Sequence, residues 1–482
     1  MSWTDTYEVV IGLEVHAQLA TASKLFCGDS TAFGAEPNTH ISPITMGHPG
    51  TLPKTNKKAV DYAIKMGLAC ACEIEKDNYF ARKNYFYPDL PKGYQISQHT
   101  TPICKGGKVR IKTADGTYRY VQLNRIHLEE DAGKSIHDLD PTFTCIDLNR
   151  AGTPLIEIVT EPAIFSADEA WQYVTEIRKL VRWLGICDGN MEEGSLRCDA
   201  NISLKLKGAT KLGTRVEVKN LNSIRNVKKA IEFEIERLAA ILDKGEKVQQ
   251  QTRSFNASND TTFAIRDKEE ANDYRYFPDP DLAPFHLTDS FIQNIQSQLP
   301  VLPNALMEKF VLLGLSEYDA HQLCDEQATA LYFESVIAHT QNYKAVANWI
   351  LGPIKQYLHE HHISLHQLTL DGIKLAELIA LVDEGTINFS IASSKILPAL
   401  ITSNNLSALS IAESMNLLQV SDGNELSKWI EAVIAKMPDK VAEYKKGKKG
   451  LIGLFVGEVK KLSSGKADPK LVTQLLEEAL QK

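Results

Sequence analysis

Two stretches of strict alternation constrain the first half of the chain most. From Ile11 to Leu19, Ile11, Leu13, Val15, Ala17 and Leu19 interleave with Gly12, Glu14, His16 and Gln18. From Leu196 to Leu206, Leu196, Cys198, Ala200, Ile202, Leu204 and Leu206 interleave with Arg197, Asp199, Asn201 and Ser203. A period of two is the signature of a strand buried on one face. Glu14, His16 and Gln18 must then share the other face. Arg215 to Asn220 follows a turn flanked by Gly208 and Gly213, which predicts a hairpin with Arg215, Glu217 and Lys219 opposite Val216 and Val218. Helices are interleaved with these strands. Ser166 with Glu169 spells a capping box ahead of Ala170, Val174, Ile177, Val181 and Leu184, and a second run from Ile224 to Leu242 stops at Gly245. Strands with a few helices between them, but no regular βαβ units, predict an α+β fold on a mainly antiparallel sheet.

At 482 residues the chain has room for two to four domains of roughly 150 residues each. Its texture changes near Pro284, beyond which it is rich in Leu and Ala; past Pro303 only helices are expected, with a break near Pro353. A softer boundary falls between Thr402 and Leu406. The domains are expected at 1–294, 295–405 and 406–482. A composition of 43% hydrophobic and 24% charged residues excludes wholesale disorder and coiled coil. No apolar run approaches the length needed to cross a bilayer, and the first residues lack the basic and apolar regions of a secretory signal. The eight cysteines, none spaced C-x-x-C, are too few for a disulfide framework. A soluble, cytoplasmic protein with reduced thiols is expected. Its net charge of −8 gives no general attraction to nucleic acid, so any such contact needs a local basic patch.

Three constellations could carry chemistry. The first combines Glu14 and His16 with the run His127, Glu129, Glu130 and Asp131, which Asp199 and Asn201 could join. Converging carboxylates repel unless a hard cation such as Mg²⁺ holds them, and such an ion would in turn grip substrate phosphates. A polar strand face is more commonly just solvated, and alternation alone leaves both readings open. The second pairs two aromatic and charged stretches, Arg82 to Gln95 (RKNYFYPDLPKGYQ) and Ile265 to Leu282 (IRDKEEANDYRYFPDPDL), suited either to a polar ligand or to capping a core. The third is a set of lysines near the end, including Lys445, Lys446, Lys448 and Lys449, which suits phosphodiester contact or a solvated helix face. The string Gly133-Lys134-Ser135 ends like a phosphate-binding loop, but position 128 holds Leu128 where that motif needs Gly.

Taken in order, VIGLEVHAQL, SKLFCG, FGAEPNT, RKNYFYPDLPKGYQISQ, HLEEDAGKS, DLNRAGTPLIEIVTEP, GSLRCDANIS, EVKNLNS, DYRYFPDPDL, ANWILGPI and FVGEVKKLSSGKADPKLVTQLL resemble the B subunit family of aspartyl/glutamyl-tRNA amidotransferases, from Glu8 to the end. The resemblance implies a catalytic cradle built on antiparallel sheet, a helical domain and a small helical tail that contacts tRNA. It implies phosphorylation by ATP of the side-chain carboxylate of Glu-tRNA(Gln) or Asp-tRNA(Asn), then displacement of phosphate by ammonia. On the same ground Glu14, His16, Glu129 and Glu130, with Asp199, become ligands of Mg²⁺. Arg197, Asn201, Lys219, Asn220, Tyr274 and Arg275 fall near substrate and ATP. Lys83, Asp89 and Lys92 line an ammonia channel, and Lys445, Lys446, Lys448 and Lys449 meet the tRNA body. An amidase A subunit and a small C subunit are the implied partners. Many relatives carry a zinc knuckle, but the positions here read Cys27, Asp29, Ser42 and Thr45, so no zinc is expected. Two other readings remain to be separated from this one: a tRNA-holding scaffold without catalysis, and a phosphotransferase acting on a small molecule.

Overall fold

The computed structural model describes residues 3–267, 274–403, 406–419, 423–463 and 465–481. They form two compact units, the first ending at Leu302 and the second beginning at Pro303.

The first unit is built on a thirteen-stranded sheet. Its principal strands are β1 (Tyr7–Gln18), β2 (Ala81–Asn84), β3 (Tyr94–Ser97), β4 (Lys108–Lys112), β5 (Tyr118–Glu130), β6 (Pro154–Thr160), β7 (Leu196–Leu206), β8 (Val216–Leu221), β9 (Gln251–Asn256) and β10 (Thr261–Asp267). They run in the order β10-β9-β8-β7-β1-β6-β5-β3-β2, with β4 pairing to the start of β5. These neighbours are antiparallel except β8 and β9, so the expected class holds with one parallel pair. Alternation decides which side each strand buries. Leu13, Val15 and Ala17 are fully covered while Glu14, His16 and Gln18 stay partly open on the other face. Each large apolar side chain so covered contributes roughly 1.5–3 kcal/mol against the cost of ordering it. Leu206, at the very end of β7, is exposed despite the pattern.

Helices α1 (Lys57–Ala69), α2 (Ala167–Trp183) and α3 (Ile224–Asp243) supply apolar faces to the same core. Ser166 caps α2 by accepting from the Glu169 amide at 3.1 Å, but the reciprocal half of the expected box is absent. The Glu169 carboxylate instead accepts from the Phe165 amide at 2.8 Å and from Arg119 at 2.7 Å. Gly245, at φ +74°, ends α3 as read from the sequence.

One irregularity matters later. Val159 of β6 faces Arg125 of β5, whereas Thr160 faces Leu123, so Asn124 is an extra residue in β5. Such a bulge reverses the alternation. Core positions therefore run Val121, Leu123, then Ile126, Leu128.

The second unit is helical among its described residues, as expected. The predicted break at Pro353 does not occur: helix α4 (Tyr343–Trp349) passes through a π-turn at Ile350–Ile354 into α5 (Lys355–Glu360). The widened turn, in which the Lys355 amide reaches the Ile350 carbonyl, makes room for a ring and a missing donor that a regular α-turn would reject. In the tail, α6 (Gly423–Lys436), α7 (Pro438–Lys445), α8 (Ile452–Leu462) and α9 (Pro469–Gln481) close over Leu426, Ile430, Tyr444, Phe455, Val459 and Leu476.

Candidate active site

Strand register gathers the polar residues. Arg197 of β7, His16 of β1, Glu157 of β6 and His127 of β5 form one row across four strands. The His16 Nε2 lies 3.8 Å from Glu129 Oε1 and 3.7 Å from Glu157 Oε2; the His127 Nε2 lies 3.2 Å from Glu157 Oε2 and 3.6 Å from Glu129 Oε2. Beside this group, Glu14, Asp199 and Glu217 bring one oxygen each to within 4.8 Å of the others, the same spacing that relates His16, Glu129 and Glu157. Lys219 Nζ donates to Asp199 Oδ2 and Glu217 Oε1, both at 2.8 Å, and the Asn220 amide donates to Asp199 Oδ1 at 3.0 Å. Asn220 adopts φ +59°, a conformation Asn tolerates better than most side chains. Asn201 Nδ2 donates to Glu14 Oε1 at 3.0 Å.

The charges are interdependent. Burial, reinforced by Glu157 and Asp199, pushes the Glu14 carboxyl up despite Lys219 and His16. Burial acts the same way on Glu157, but His127, His16 and Lys83 outweigh it and hold that carboxyl low. For His127 burial favours the neutral ring, yet Glu157 and Glu129 prevail and raise it to about 9. Burial also lowers the charge on Lys83, and Glu129, Tyr276 and Glu157 overcome it, so this ammonium stays protonated. Two oxygen-rich donor groups with so many close anions fit a hard divalent cation such as Mg²⁺ better than a soft one.

Most of the residues expected here do meet. Glu14, His16, Glu129, Asp199, Asn201, Lys219 and Asn220 share the site. Arg197 is engaged with Asp131 through two bonds of 2.9 and 3.1 Å, and Gln18 donates to the same carboxylate at 2.7 Å. Glu130 is a correction. Adjacent residues of a strand point to opposite faces, and Glu130 turns away from Glu129 to pair with Lys92 and accept from the Ile96 amide at 2.9 Å. There it borders a cavity of about 20 Å³ with Lys24, Phe26, Thr45, Leu90 and Lys92.

The channel residues also divide. Lys83 sits over the rings of Tyr274 at 4.9 Å and Tyr85 at 5.6 Å beside the acids, whereas Lys92 belongs with Glu130. Asp89 accepts from Ser135 Oγ at 3.2 Å, and its carbonyl accepts from the Gly133 amide at 2.8 Å. A Cβ on Gly133 would lie 2.9 Å from the carbonyl oxygens of both Asp89 and Asp147, so this glycine serves close backbone packing and not a phosphate loop.

The two dense motifs are brought together. Arg82 binds Asp279 at 2.7 Å and Asp281 at 2.8 Å, the Asn84 amide donates to the Tyr274 carbonyl at 2.9 Å, and Asn84 Nδ2 donates to the Arg275 carbonyl at 2.7 Å. The charged run at 268–273 lies outside the described residues.

Sequence reasoning placed Glu217 on a charged strand face without assigning it to the site, and it passed over Glu157. The signal for Glu157 was a single acid in the apolar run PLIEIVT, where a buried charge demands partners. Cys27, Asp29, Ser42 and Thr45 do converge, but through hydrogen bonds: Cys27 Sγ lies 3.3 Å from Asp29 Oδ2 and 3.4 Å from Thr45 Oγ1, and Thr45 Oγ1 donates to Asp29 at 2.5 Å. One thiol among oxygens does not fit zinc. Lys445, Lys446, Lys448 and Lys449 are exposed in the tail, with Lys448 paired to Glu443 at 2.9 Å and Lys449 over the Tyr444 ring at 4.3 Å.

Fold and site together define a catalytic domain of the GatB/GatE type: residues 9–293 match the GatB/GatE catalytic domain, and residues 331–480 match the GatB domain. The chain is 47% identical over 471 residues to the B subunit of the aspartyl/glutamyl-tRNA(Asn/Gln) amidotransferase from Thermodesulfovibrio yellowstonii, covering 98% of each. It is 48% identical to the proteins of the same name from Persephonella marina, over 476 residues, and Geotalea daltonii, over 479 residues, covering 98% of this chain and 99% of each relative. The chain belongs to the family of aspartyl/glutamyl-tRNA(Asn/Gln) amidotransferase B subunits. No helix among the described residues is long and apolar enough to cross a membrane.

Proposed function

We propose that this chain is the amidating subunit of a cytoplasmic, tRNA-dependent amidotransferase, working with an amidase A subunit and a small C subunit on Glu-tRNA(Gln), Asp-tRNA(Asn) or both. The observation that carries the reading is the pair of three-donor groups side by side on one sheet face of a GatB-family chain. A carboxylate is a poor electrophile because oxide is a hopeless leaving group. Its oxygen therefore attacks the γ-phosphorus of ATP and releases ADP; ammonia then attacks the carbonyl carbon, phosphate leaves, and the nitrogen loses a proton. Glu14, Asp199 and Glu217, with His16, Glu129 and Glu157, would hold Mg²⁺, which would supply charge neutralisation at the transferring phosphoryl.

The chain's own residues do the positioning. Glu14, Asp199 and Glu217 form one oxygen set, with Lys219 and the Asn220 amide fixing the rotamers of the acids they touch. His16, Glu129 and Glu157 form the second, steadied by His127. Lys83, protonated and facing Glu129 and Glu157, is placed to hold substrate or phosphoryl oxygens and is unsuited to act as a base. The exposed tail lysines add a contact to the tRNA body that carries no sequence information.

The test is ATP turnover by the complex of A, B and C subunits, with and without glutamylated tRNA(Gln), while amide on the tRNA is followed. Turnover should need Mg²⁺ and mischarged tRNA, and Glu14→Gln or Glu157→Gln should lower it at least ~100-fold while tRNA binding persists. Unchanged turnover in both variants would leave only a tRNA-holding scaffold.

A further inference from the structure

The acids of the site sit one to a strand across β8, β7, β1, β6 and β5, with Glu217 and Glu129 at the two ends of the row. β9 lies outside β8, and β3 lies outside β5. Each flanking strand places a hydroxyl directly opposite the outermost acid: register sets Thr252 against Glu217 and Ser97 against Glu129. Thr252 Oγ1 donates to Glu217 Oε2 at 3.0 Å, and Ser97 Oγ donates to Glu129 Oε2 at 3.3 Å. Thr252 is 2% and Ser97 3% exposed, so neither hydroxyl turns to solvent.

Alternation along β9 explains why Thr252 and not its neighbour reaches the site. Arg253, one residue on, faces the core, where it pairs with Glu234 of α3 at 3.0 Å and donates to Thr262 Oγ1 at 2.8 Å. The parallel pairing of β8 with β9 then brings Thr252 beside Glu217.

The inner acids are steadied by other groups. Asn201 donates to Glu14, Lys219 donates to Asp199, and His127 faces Glu157. Lys219 also reaches Glu217 Oε1 at 2.8 Å, but an ammonium cancels part of the charge that would draw a cation. A hydroxyl fixes the plane of a carboxylate through one oxygen and leaves its charge whole. An ionised carboxylate offers about four lone-pair positions, so the oxygen that accepts from the hydroxyl can still face an ion. Thr suits this task because branching at Cβ restricts χ1 and aims the hydroxyl.

We propose that Thr252 and Ser97 are positioning residues for divalent-cation binding, two neutral hydroxyls that fix the outermost carboxylates at either end of the acid row. The inference rests on the cation reading given above. Each hydroxyl acts through the acid it faces and not by contact with the ion. Partners of this kind typically govern metal affinity by ~10–100-fold.

The test measures Mn²⁺ binding to the A–B–C complex, without ATP or tRNA, from the electron paramagnetic resonance signal of free Mn²⁺. Wild type is compared with Thr252→Val, Thr252→Ser and Ser97→Ala, none of which alters charge. Thr252→Val and Ser97→Ala should each weaken Mn²⁺ binding ~10–100-fold, and Thr252→Ser should recover most of the loss. In turnover, Thr252→Val and Ser97→Ala should need more Mg²⁺ for half-maximal rate yet approach the wild-type kcat at saturating Mg²⁺, with KM for the tRNA little changed. A hydroxyl that served packing alone would lower kcat at every Mg²⁺ concentration. Unchanged Mn²⁺ affinity in either Thr252→Val or Ser97→Ala would overturn the proposal, as would a Thr252→Ser complex that binds as weakly as Thr252→Val. Should Thr252→Val fail to assemble, Ser97→Ala decides by itself. A wild-type complex that binds no Mn²⁺ would instead remove the cation reading, and the positioning role with it.

Discussion

The His127–Glu157 pair makes the stability of the metal-free first unit depend on pH in a predictable direction. His127 is held at about 9 in the fold against an ordinary 6.5. A group raised in this way stabilises the fold fully below its unfolded value and stops doing so as pH climbs through its folded one. The Glu157 carboxyl is held low, so its contribution is present above the ordinary value of 4.5 and is lost as pH falls below it. The pair is therefore at full strength between about 4.5 and 6.5, and its histidine share declines from there to about 9. For a side chain only 4% exposed the whole difference counts, on the order of 3 kcal/mol. The assay is urea unfolding of the full chain in EDTA at pH 6.0, 7.5 and 9.5, with hydrogen exchange of β5 and β6 peptides to assign the loss to this unit. Glu157→Gln removes the dominant anion, so the variant should be less stable at pH 6.0 and nearly flat above it. Parallel curves for wild type and Glu157→Gln would refute the charged pair. Saturating Mg²⁺ should flatten the wild-type curve too, because an ion on Glu129 and Glu157 withdraws the anions that hold the proton on His127.

Three further outcomes follow from named contacts. Asp131→Asn should cost ~3–5 kcal/mol, read by urea unfolding, because it leaves the Arg197 guanidinium beside the site without its carboxylate. Glu234→Ala should cost a similar ~3–5 kcal/mol, since Glu234 is fully buried between Arg237 at 2.7 Å and Arg253 at 3.0 Å, yet it should leave Mg²⁺ affinity unchanged by calorimetry. Elemental analysis of purified protein should find less than about 0.1 zinc per chain, and Thr45→Val should destabilise by ~1–2 kcal/mol in thermal melts through the lost bonds to Asp29 and Cys27.

The sheet was legible where one face is buried. Alternation in β1, β7 and β8 gave those strands, their polar faces and the hairpin that joins β7 to β8, since the period of two admits no other assignment. The ends of α2 and α3 were legible from Ser166 and Gly245, which act on their immediate neighbours. What failed did so where the decisive contact is distant in the chain. The Glu169 carboxylate could have returned to Ser166, but Arg119, fifty residues earlier, holds it elsewhere. Pro353 breaks a regular helix, and nothing local announces that a π-turn will absorb it.

Glu129 and Glu130 show why site residues are harder to read than strands. As neighbours in the string HLEE they look like one acidic unit, and only a strand assignment carried to the level of individual side chains sends one to the cluster with His16 and Glu157 and the other to Lys92. The extra residue at Asn124 compounds the difficulty, because it appears only when β5 is laid against β6 and a register shift is found at Val159. Counting back from Glu129 by twos without it puts Tyr118 and Tyr120 on the wrong face. The same bulge hides the orientation of the β4–β5 hairpin from sequence reasoning, and a deletion of Asn124 that restored simple alternation would turn Tyr118, Tyr120 and Gln122 to the face opposite the acids.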